Sequence, residues 1–275
     1  MDGTFRVVNK PFVQLSSIHA FVKSDGSMKQ IPLVFVIMSG KRKEDYYQVL
    51  RHIDRQLPSD ISLDGFVADF EAGLWQALKE RFPGYGIQGC AFHWSQAVFR
   101  KVQEHGLQTA YNQKSAIFNY LRQLMALPFL PAEHIADAFF QLEERAPPEA
   151  KPILDYISNT WIHSTVFTIS SWCVFMTPVR TNNDVEGWHN RLNTQVATRG
   201  PVPFYFLICE LFAEAADIPL QLRLVAEGKL RHYQRKQTRQ VQQMIFSLWQ
   251  QYKDNTISAS HLLRKCASVY GPPPS

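Results

Sequence analysis

The sequence predicts an α/β domain in which helices pack on a mixed β-sheet. Two runs rich in apolar and β-branched residues, 12–22 and 31–38, flank the turn signal Asp25-Gly26-Ser27 and predict paired strands. Segments with helical spacing then alternate with short apolar runs up to about residue 93, the order typical of layered α/β domains. Because 45% of the 275 residues are hydrophobic, the chain has enough apolar side chains to form the core of such a domain.

The elements of the amino-terminal part follow from periodicity. The near-continuous apolar run over 31–38 is typical of a strand covered on both faces. Apolar residues from Tyr46 to Leu57 recur on one helical face, which predicts a helix over 43–57. The elements that follow are predicted as a strand within 61–68, a helix over 71–82, a strand over 87–92 and a helix from about residue 93.

The carboxyl-terminal part has a helical pattern almost throughout. Residues 108–156 carry helical spacing broken at prolines, which predicts an all-helical insertion. A further helix over 181–197 and more helix after Pro201 follow. The predicted domains are 1–107 and 166–200 for the two parts of the α/β core, 108–165 for the insertion and 201–275 for a basic helical region.

The positive charge of the chain is concentrated near its carboxyl end. The net charge is +5, and residues 223–239 contain six basic residues against one acidic residue, Glu227. The basic residues are Arg223, Lys229, Arg231, Arg235, Lys236 and Arg239. Clustered cations favour a polyanionic partner, and Tyr233 adds one possible stacking surface. A solvated helix face is the alternative explanation of the same run.

Several classes of protein are disfavoured by what the sequence lacks. It has no phosphate-binding loop, no dinucleotide-binding glycine fingerprint and no nucleophile-elbow serine; a cysteine nucleophile is left open, but no pattern marks one. The four cysteines form no closely spaced pair, which favours a reducing compartment without a disulfide framework. We expect no leader peptide, because the first residues include Asp2 and no apolar run. We expect no transmembrane helix, because no uninterrupted apolar run reaches about 18 residues.

Two aspartates are candidates for chemistry. Asp69 follows the apolar run 66–68 and precedes a predicted helix, a position where open α/β sheets carry active sites. Aspartate is also a common helix N-cap, so a structural role explains Asp69 as well. Asp2, in Asp-Gly-Thr-Phe, fits either a turn or a strand followed by a turn.

Glu186 lies in the predicted helix over 181–197 with a polar stripe behind it. The polar residues on its face are His189, Asn190 and Asn193, whereas Val185, Trp188, Leu192 and Val196 form a separate apolar face. Asn183 and Glu186 also match a capping box, but a capping glutamate does not require polar neighbours farther along the helix. The pattern therefore favours a functional role for Glu186.

Cys90 and His93 form a CxxH pair with the spacing of metal ligands. Structural zinc needs four ligands and no second pair lies nearby, so further ligands such as His105, His163 or His189 would have to come from the fold. The alternative is a buried cysteine and a hydrogen-bonded histidine that support the sheet.

Taken together, these segments resemble the Mutator-like element (MULE) transposase domain. The matching motifs, in the family's order, are Asp-Gly-Thr-Phe at 2–5, the strand at 12–20, the strand and helix start within 31–47, Ala-Asp-Phe-Glu at 68–71, the CxxH segment at 89–97, and Thr-Asn-Asn at 181–183 with Glu186 and His189. Each motif is modest alone, and their common order makes the set specific. The resemblance covers roughly residues 1–200.

The resemblance implies an RNase H-like α/β fold: a mixed sheet flanked by helices, with an all-helical insertion before the last catalytic helix and a helical carboxyl-terminal tail. It implies a DDE-type transposase that nicks DNA and transfers strands, with Asp2, Asp69 and Glu186 as catalytic residues and ligands of two Mg²⁺ or Mn²⁺ ions. Glu71 is a fallback for the second carboxylate. Zn²⁺ at Cys90 and His93, terminal-repeat and target DNA, a homo-oligomer on that DNA and a nuclear location are further expectations.

The chain departs from the family pattern at its amino end. It opens at the first aspartate motif, so we expect a truncated first strand, and the zinc-type DNA-binding domain that family members carry is not seen. Two alternatives stay open: a domesticated DNA-binding or regulatory protein without catalysis, and an inactive transposase fragment.

Overall fold

The structure, a computed structural model, describes residues 1–24, 27–58, 63–178, 183–196, 203–229 and 236–272. Its strands are β1 (Asp2–Thr4), β2 (Gln14–Ser24), β3 (Ser27–Met38), β4 (Phe66–Ala68) and β5 (Ile87–Gly89). Its helices are α1 (Lys43–Gln56), α2 (Ala72–Arg81), α3 (Ala91–Glu104), α4 (Gln108–Asn112), α5 (Phe118–Met125), α6 (Ala132–Glu144), α7 (Lys151–Ile157), α8 (Ile169–Trp172), α9 (Asn183–Val196), α10 (Phe204–Ala226), α11 (Lys236–Lys253) and α12 (Ala259–Val269). The predicted α/β class is confirmed.

The chain divides into two compact units. The first unit comprises Met1–Ile87 and Asn182–Tyr233, and the second comprises Gln88–Thr181 and Gln234–Ser275. Each unit is therefore built from two separate stretches of sequence. Across the described ranges, none of the helices combines the length and apolar character needed to cross a membrane.

The first unit contains an antiparallel sheet with the order β1-β2-β3. Asp2 lies opposite Ser17 in the pairing of β1 with β2. The pairing of β2 with β3 is irregular between Ile18 and His19. Side chains of directly opposite residues point to the same face of a sheet, so Asp2 and Ser17 share a face.

Both faces of this sheet are covered, as the apolar run over 31–38 predicts. On one face Val36 packs against a core built largely from α1 and α2. On the other face Phe35 packs against a core that contains Trp188 and is built largely from α9 and α10. Successive residues of β3 thus contribute to different cores, which explains why the strand lacks a polar face.

β4 and β5 form a second, two-stranded sheet. At its start the Phe66 N–H donates to the Gly86 carbonyl oxygen at 2.9 Å. The nitrogen of Met1 donates to the Val67 carbonyl oxygen at 2.6 Å. The start of β1 and the middle of β4 are therefore hydrogen-bonded neighbours.

One predicted boundary is wrong. The strand predicted over 87–92 ends at Gly89, and α3 begins at Ala91 with Cys90 as its N-cap residue. Short apolar runs have the same pattern in a strand and in a buried helix, so periodicity does not separate the two.

The second unit is helical beyond the end of β5. The helical pattern predicted for 108–156 agrees with α4 to α7. An aromatic cluster lies in its core, where Trp94 stacks on Trp172 with ring centroids 4.4 Å apart and meets Trp161 edge-on at 4.7 Å. Gln88 donates to the carbonyl oxygen of Cys173 at 3.1 Å and so ties β5 to the chain that follows α8.

Candidate active site

Asp2 lies in strand β1 rather than in a turn, and only 4% of its surface is exposed. One of its carboxylate oxygens accepts a hydrogen bond from the Gly3 N–H at 2.8 Å, and the other faces Nδ1 of His189 at 3.5 Å. Buried carboxylates need such polar neighbours, because removal from water penalises the charged form. A side chain at Gly3 would come within 2.7 Å of the Gln14 side-chain oxygen, so glycine fits this position.

Glu186 lies near the start of α9, close to Asp2 of β1. A carboxylate oxygen of Glu186 and one of Asp2 lie within 4.8 Å of each other. Two carboxylates at this separation repel unless a proton or a cation lies between them. The pair supplies the hard oxygen donors that Mg²⁺ and Mn²⁺ prefer.

The two faces of α9 agree with the sequence pattern except at one residue. The predicted apolar face is buried at Val185, Trp188, Leu192 and Val196. On the polar face His189 is buried beside Asp2, and the Asn193 side-chain oxygen accepts a hydrogen bond from the Thr4 hydroxyl at 3.3 Å. Asn190 is exposed instead. Asn183 is described only by its backbone, at the start of α9, so the capping-box alternative for Glu186 stays open.

Glu214 of α10 fixes the orientation of α9. It accepts two hydrogen bonds from the Arg191 guanidinium, at 2.5 and 2.6 Å, and a third from the Trp188 indole N–H at 2.7 Å. Burial alone would raise the pKa of Glu214, but the bonds from Arg191 and Trp188 outweigh it, and the pKa lies below its ordinary value. The Trp188 ring also stacks on Phe35 at 5.1 Å, which joins α9 to the sheet.

Ser17 and His19 extend the polar contacts of Asp2 beyond what we predicted from the sequence. The Ser17 hydroxyl lies 3.0 Å from Nε2 of His189 and 3.0 Å from Nε2 of His19. Burial lowers the pKa of His19 to about 3, assisted by the positive amino terminus and by His189. Alternate residues of a strand share a face, so the Ser-x-His spacing in β2 was the available signal.

Asp69 follows β4 directly, as predicted. α2 begins at Ala72 with Glu71 as its N-cap residue, so Asp69 is not the cap. The Asp69 carbonyl oxygen accepts a hydrogen bond from the Trp75 indole at 2.7 Å. In the part of the chain that the structure describes, the group of potential metal ligands within 4.8 Å that contains Asp2 and Glu186 does not include Asp69.

Glu71, the fallback for the second carboxylate, is engaged in a different network. One of its oxygens accepts from the Lys41 ammonium and the other from the Tyr46 hydroxyl. Gln14 in turn donates to the Tyr46 hydroxyl oxygen. These contacts tie β2, α1 and the start of α2 together, which is a structural role.

Cys90 and His93 lie at the start of α3. Cys90 is fully buried, and His93 is partly buried in the first turn. Among the described residues, Cys90 belongs to no group of three or more potential metal ligands within 4.8 Å. Tetrahedral zinc needs four ligands, and the zinc site at Cys90 and His93 stays a prediction.

The basic residues between 223 and 239 are described only in part. Arg223 and Lys229 are exposed near the end of α10, where Lys229 pairs with Glu227 at 2.8 Å. Arg239 is exposed on α11, in the second unit. Arg231, Arg235 and Tyr233 lie outside the described residues, and of Lys236 only the backbone, at the start of α11, is described. The DNA contacts of this run stay a prediction.

Known protein families provide a separate test of the resemblance. Residues 1–97 match the MULE transposase domain. The resemblance inferred from the motifs is confirmed over this segment, which contains Asp2, Asp69, Cys90 and His93. Glu186 lies beyond the matched MULE residues, although the motif resemblance extends to about residue 200. No curated protein matches the chain. The MULE match indicates a transposase-related function, in an enzyme family of the nuclease type.

Proposed function

We propose that the chain is the catalytic region of a MULE-type DNA transposase, a DDE enzyme that nicks DNA and transfers strands with two divalent metal ions. One observation carries the proposal: carboxylate oxygens of Asp2 and Glu186, which come from the two separate stretches of the first unit's sequence, lie within 4.8 Å of each other. The match of residues 1–97 to the MULE transposase domain supports it. Clustered carboxylates are the ligands that hard divalent cations take in proteins, so this approach favours a metal site.

An RNase H-like sheet is part of the proposal. It requires the two small sheets to act as one, in the order β3-β2-β1-β4-β5. The hydrogen bond between the Met1 nitrogen and the Val67 carbonyl oxygen supports the junction of β1 with β4. In that order Asp2 lies on one central strand and Asp69 follows its neighbour, so the third carboxylate would approach the other two.

Asp2, Asp69 and Glu186 would hold Mg²⁺ or Mn²⁺. When bound, the ions stabilise the charge that develops on the phosphate and on its leaving oxygen. The protein's own contribution is positioning: β1 fixes Asp2, and the bonds of Glu214 to Trp188 and Arg191 fix α9 and therefore Glu186. The buried surroundings of Asp2 keep water from screening its charge.

The proposed substrates are the terminal repeats of an element and a target DNA, bound by a homo-oligomer in the nucleus. We assign phosphate binding to the basic residues between 223 and 239. Reversal of Arg231, Arg235 and Lys236 to glutamate should weaken DNA binding and reduce the slope of log affinity against log salt by about 0.9 for each phosphate that the variant no longer neutralises. Fluorescence anisotropy over a series of salt concentrations measures both. An unchanged slope would show that other residues bind the phosphates.

The experiment that tests the proposed chemistry is a calorimetric titration with Mn²⁺, followed by nicking of supercoiled plasmid. The parent should bind Mn²⁺ and nick DNA, and Asp69→Asn and Glu186→Gln should each lose metal affinity by about tenfold or more. Glu71→Gln is the matched control, since it removes a nearby carboxylate engaged by Lys41 and Tyr46.

Loss of affinity in Glu71→Gln with retention in Asp69→Asn would reassign the second carboxylate to Glu71. A folded parent that binds no Mn²⁺ would contradict the proposed enzyme and favour the domesticated regulator or the inactive fragment. Circular dichroism of each variant supplies the check on folding.

A further inference from the structure

Four polar side chains in the first unit form one continuous row. Asp2 faces Nδ1 of His189 at 3.5 Å, Nε2 of His189 lies 3.0 Å from the Ser17 hydroxyl, and that hydroxyl lies 3.0 Å from Nε2 of His19. Asp2, Ser17 and His189 are each no more than 5% exposed. In such surroundings the direction of every hydrogen bond has a large energetic consequence.

If both rings are neutral, the Ser17 hydroxyl allows two arrangements of the row. It has a single hydrogen, so it donates to one imidazole nitrogen and accepts from the other. In the first arrangement His19 donates to Ser17, and Ser17 donates to Nε2 of His189. His189 then carries its proton on Nδ1. In the second arrangement both bonds are reversed, and Nδ1 of His189 carries a lone pair.

The carboxylate of Asp2 decides between them. The first arrangement directs the N–H of His189 at the Asp2 oxygen, whereas the second directs a lone pair at a buried negative charge. The distance of 3.5 Å is long for a hydrogen bond, but the electrostatic difference between an N–H and a lone pair is large at low dielectric. The first arrangement is therefore the stable one.

His19, at the end of the row away from Asp2, is held so that it can donate a hydrogen bond to Ser17. The His19 ring meets the Trp188 ring edge-on, with centroids 5.4 Å apart. With a pKa of about 3, caused first by burial, His19 is neutral at physiological pH and has a single ring N–H to donate. Because His19 is neutral, it adds a dipole to the row of side chains beside Asp2 and no full positive charge.

We propose that the Asp2 carboxylate and the Ser17 hydroxyl together hold His189 as its Nδ1–H tautomer, Ser17 by donating to Nε2, and that His189 is thereby the positioning residue for Asp2. The role in metal binding rests on the proposed function, because Asp2 is then a metal ligand. Fixing the Asp2 rotamer through a buried neighbour prepares its oxygens before an ion arrives. Partners that orient ligand side chains commonly change metal affinity by about 10–100-fold when they are removed.

The tautomer can be read directly by NMR of the full chain labelled with ¹⁵N-histidine, at pH 8 and without metal. Protonated and unprotonated ring nitrogens have well-separated ¹⁵N shifts, so each tautomer has its own signature. We expect His189 as Nδ1–H in the parent and a shift towards Nε2–H in Ser17→Ala. Ser16→Ala is the matched control, because it removes a buried hydroxyl from the adjacent position of the same strand.

The metal role is tested on the same proteins by titration with Mn²⁺. Ser17→Ala should bind Mn²⁺ about tenfold more weakly, and Ser16→Ala should bind as the parent does. An Nε2–H tautomer or a doubly protonated His189 ring in the parent, or an unchanged tautomer in Ser17→Ala, would overturn the inference. If the parent binds no Mn²⁺, the proposed function fails, and the NMR result still decides whether Ser17 sets the tautomer.

Discussion

The two compact units bury different kinds of side chain. Among the described residues, seven of the eight buried polar or charged side chains belong to the first unit, and one, Ser95, belongs to the second. Those of the first unit are Asp2, Thr4, Gln14, Ser16, Ser17, Gln30 and His189. Among the described residues, the second unit buries four tryptophans, Trp94, Trp161, Trp172 and Trp249, and the first buries two, Trp75 and Trp188. Buried polar groups cost stability unless they are hydrogen-bonded, and functional sites are where proteins retain them. The contrast favours the first unit as the seat of chemistry and the second as a scaffold.

The largest effect on stability should come from the aromatic core of the second unit. Trp249→Ala removes a fully buried ring that lies against Phe246 and Phe175, and it removes the bond from the indole N–H to the Phe129 carbonyl oxygen at 2.8 Å. We expect a loss of about 3–5 kcal/mol in the free energy of unfolding, measured with urea.

Met244→Ala provides the control for that measurement, because Met244 lies on the same helix and is 51% exposed. Its effect should stay within about 0.5 kcal/mol. If the two substitutions cost the same, the second unit does not depend on its aromatic core, and the contrast between the units is lost.

A smaller loss should follow from Glu214→Gln in the first unit. The variant weakens the hydrogen bonds to Arg191 and Trp188, and we expect a cost of about 2 kcal/mol at pH 7, discounted because Arg191 is half-exposed. The folded-state pKa of Glu214 is lowered, so its stabilisation is present above its ordinary pKa of 4.5 and is lost as the pH falls through the folded value.

Urea unfolding at pH 7 and at pH 3 measures this dependence. The difference between the parent and Glu214→Gln should shrink at pH 3, because below pH 4.5 the unfolded parent takes up a proton more readily than the folded parent does. A difference that is independent of pH would show that the carboxylate charge is not what holds α9 to α10.

Tyr46→Phe should cost less, about 1 kcal/mol. The hydroxyl donates to Glu71 and accepts from Gln14, and the variant leaves both side chains with one partner fewer. Thermal unfolding should show the loss while Mn²⁺ affinity stays unchanged, because the network has a structural role. A parallel loss of Mn²⁺ affinity would connect this network to the metal site and revive Glu71 as the second carboxylate.

The sequence predicted those features that a local pattern encodes. The split of α9 into a polar face with Glu186 and an apolar face with Trp188 follows from helical spacing alone, and the double covering of β3 follows from its continuous apolar run. The end of β5 was missed because buried helices and strands share short apolar runs, so Cys90 was placed in a strand instead of at a helix N-cap.

Contacts between distant residues were beyond the reach of such patterns. Ser17 and His189 are 172 positions apart, and neither periodicity nor spacing relates them. The resemblance to MULE transposases named Asp2, Asp69 and Glu186 as partners, but only coordinates could bring Asp2 and Glu186 to within 4.8 Å. Ser17 and His19 were passed over because a serine and a histidine in a strand have many structural roles.

The smallest expected effect is a gain in stability. It bears most directly on the contrast between the units. Without metal, Glu186→Gln removes one of two repelling carboxylates, so the variant should be more stable than the parent in EDTA, by less than about 1 kcal/mol. With Mg²⁺ the order should reverse, because binding to the folded parent adds stability that the variant lacks. Urea unfolding in EDTA and in Mg²⁺ measures both states, with the exposed Glu144→Gln as the control for the change in net charge. If the variant is less stable than the parent in EDTA, Glu186 stabilises the first unit without metal. The closeness of Glu186 to Asp2 would then not be evidence that this unit loses stability in order to form a metal site.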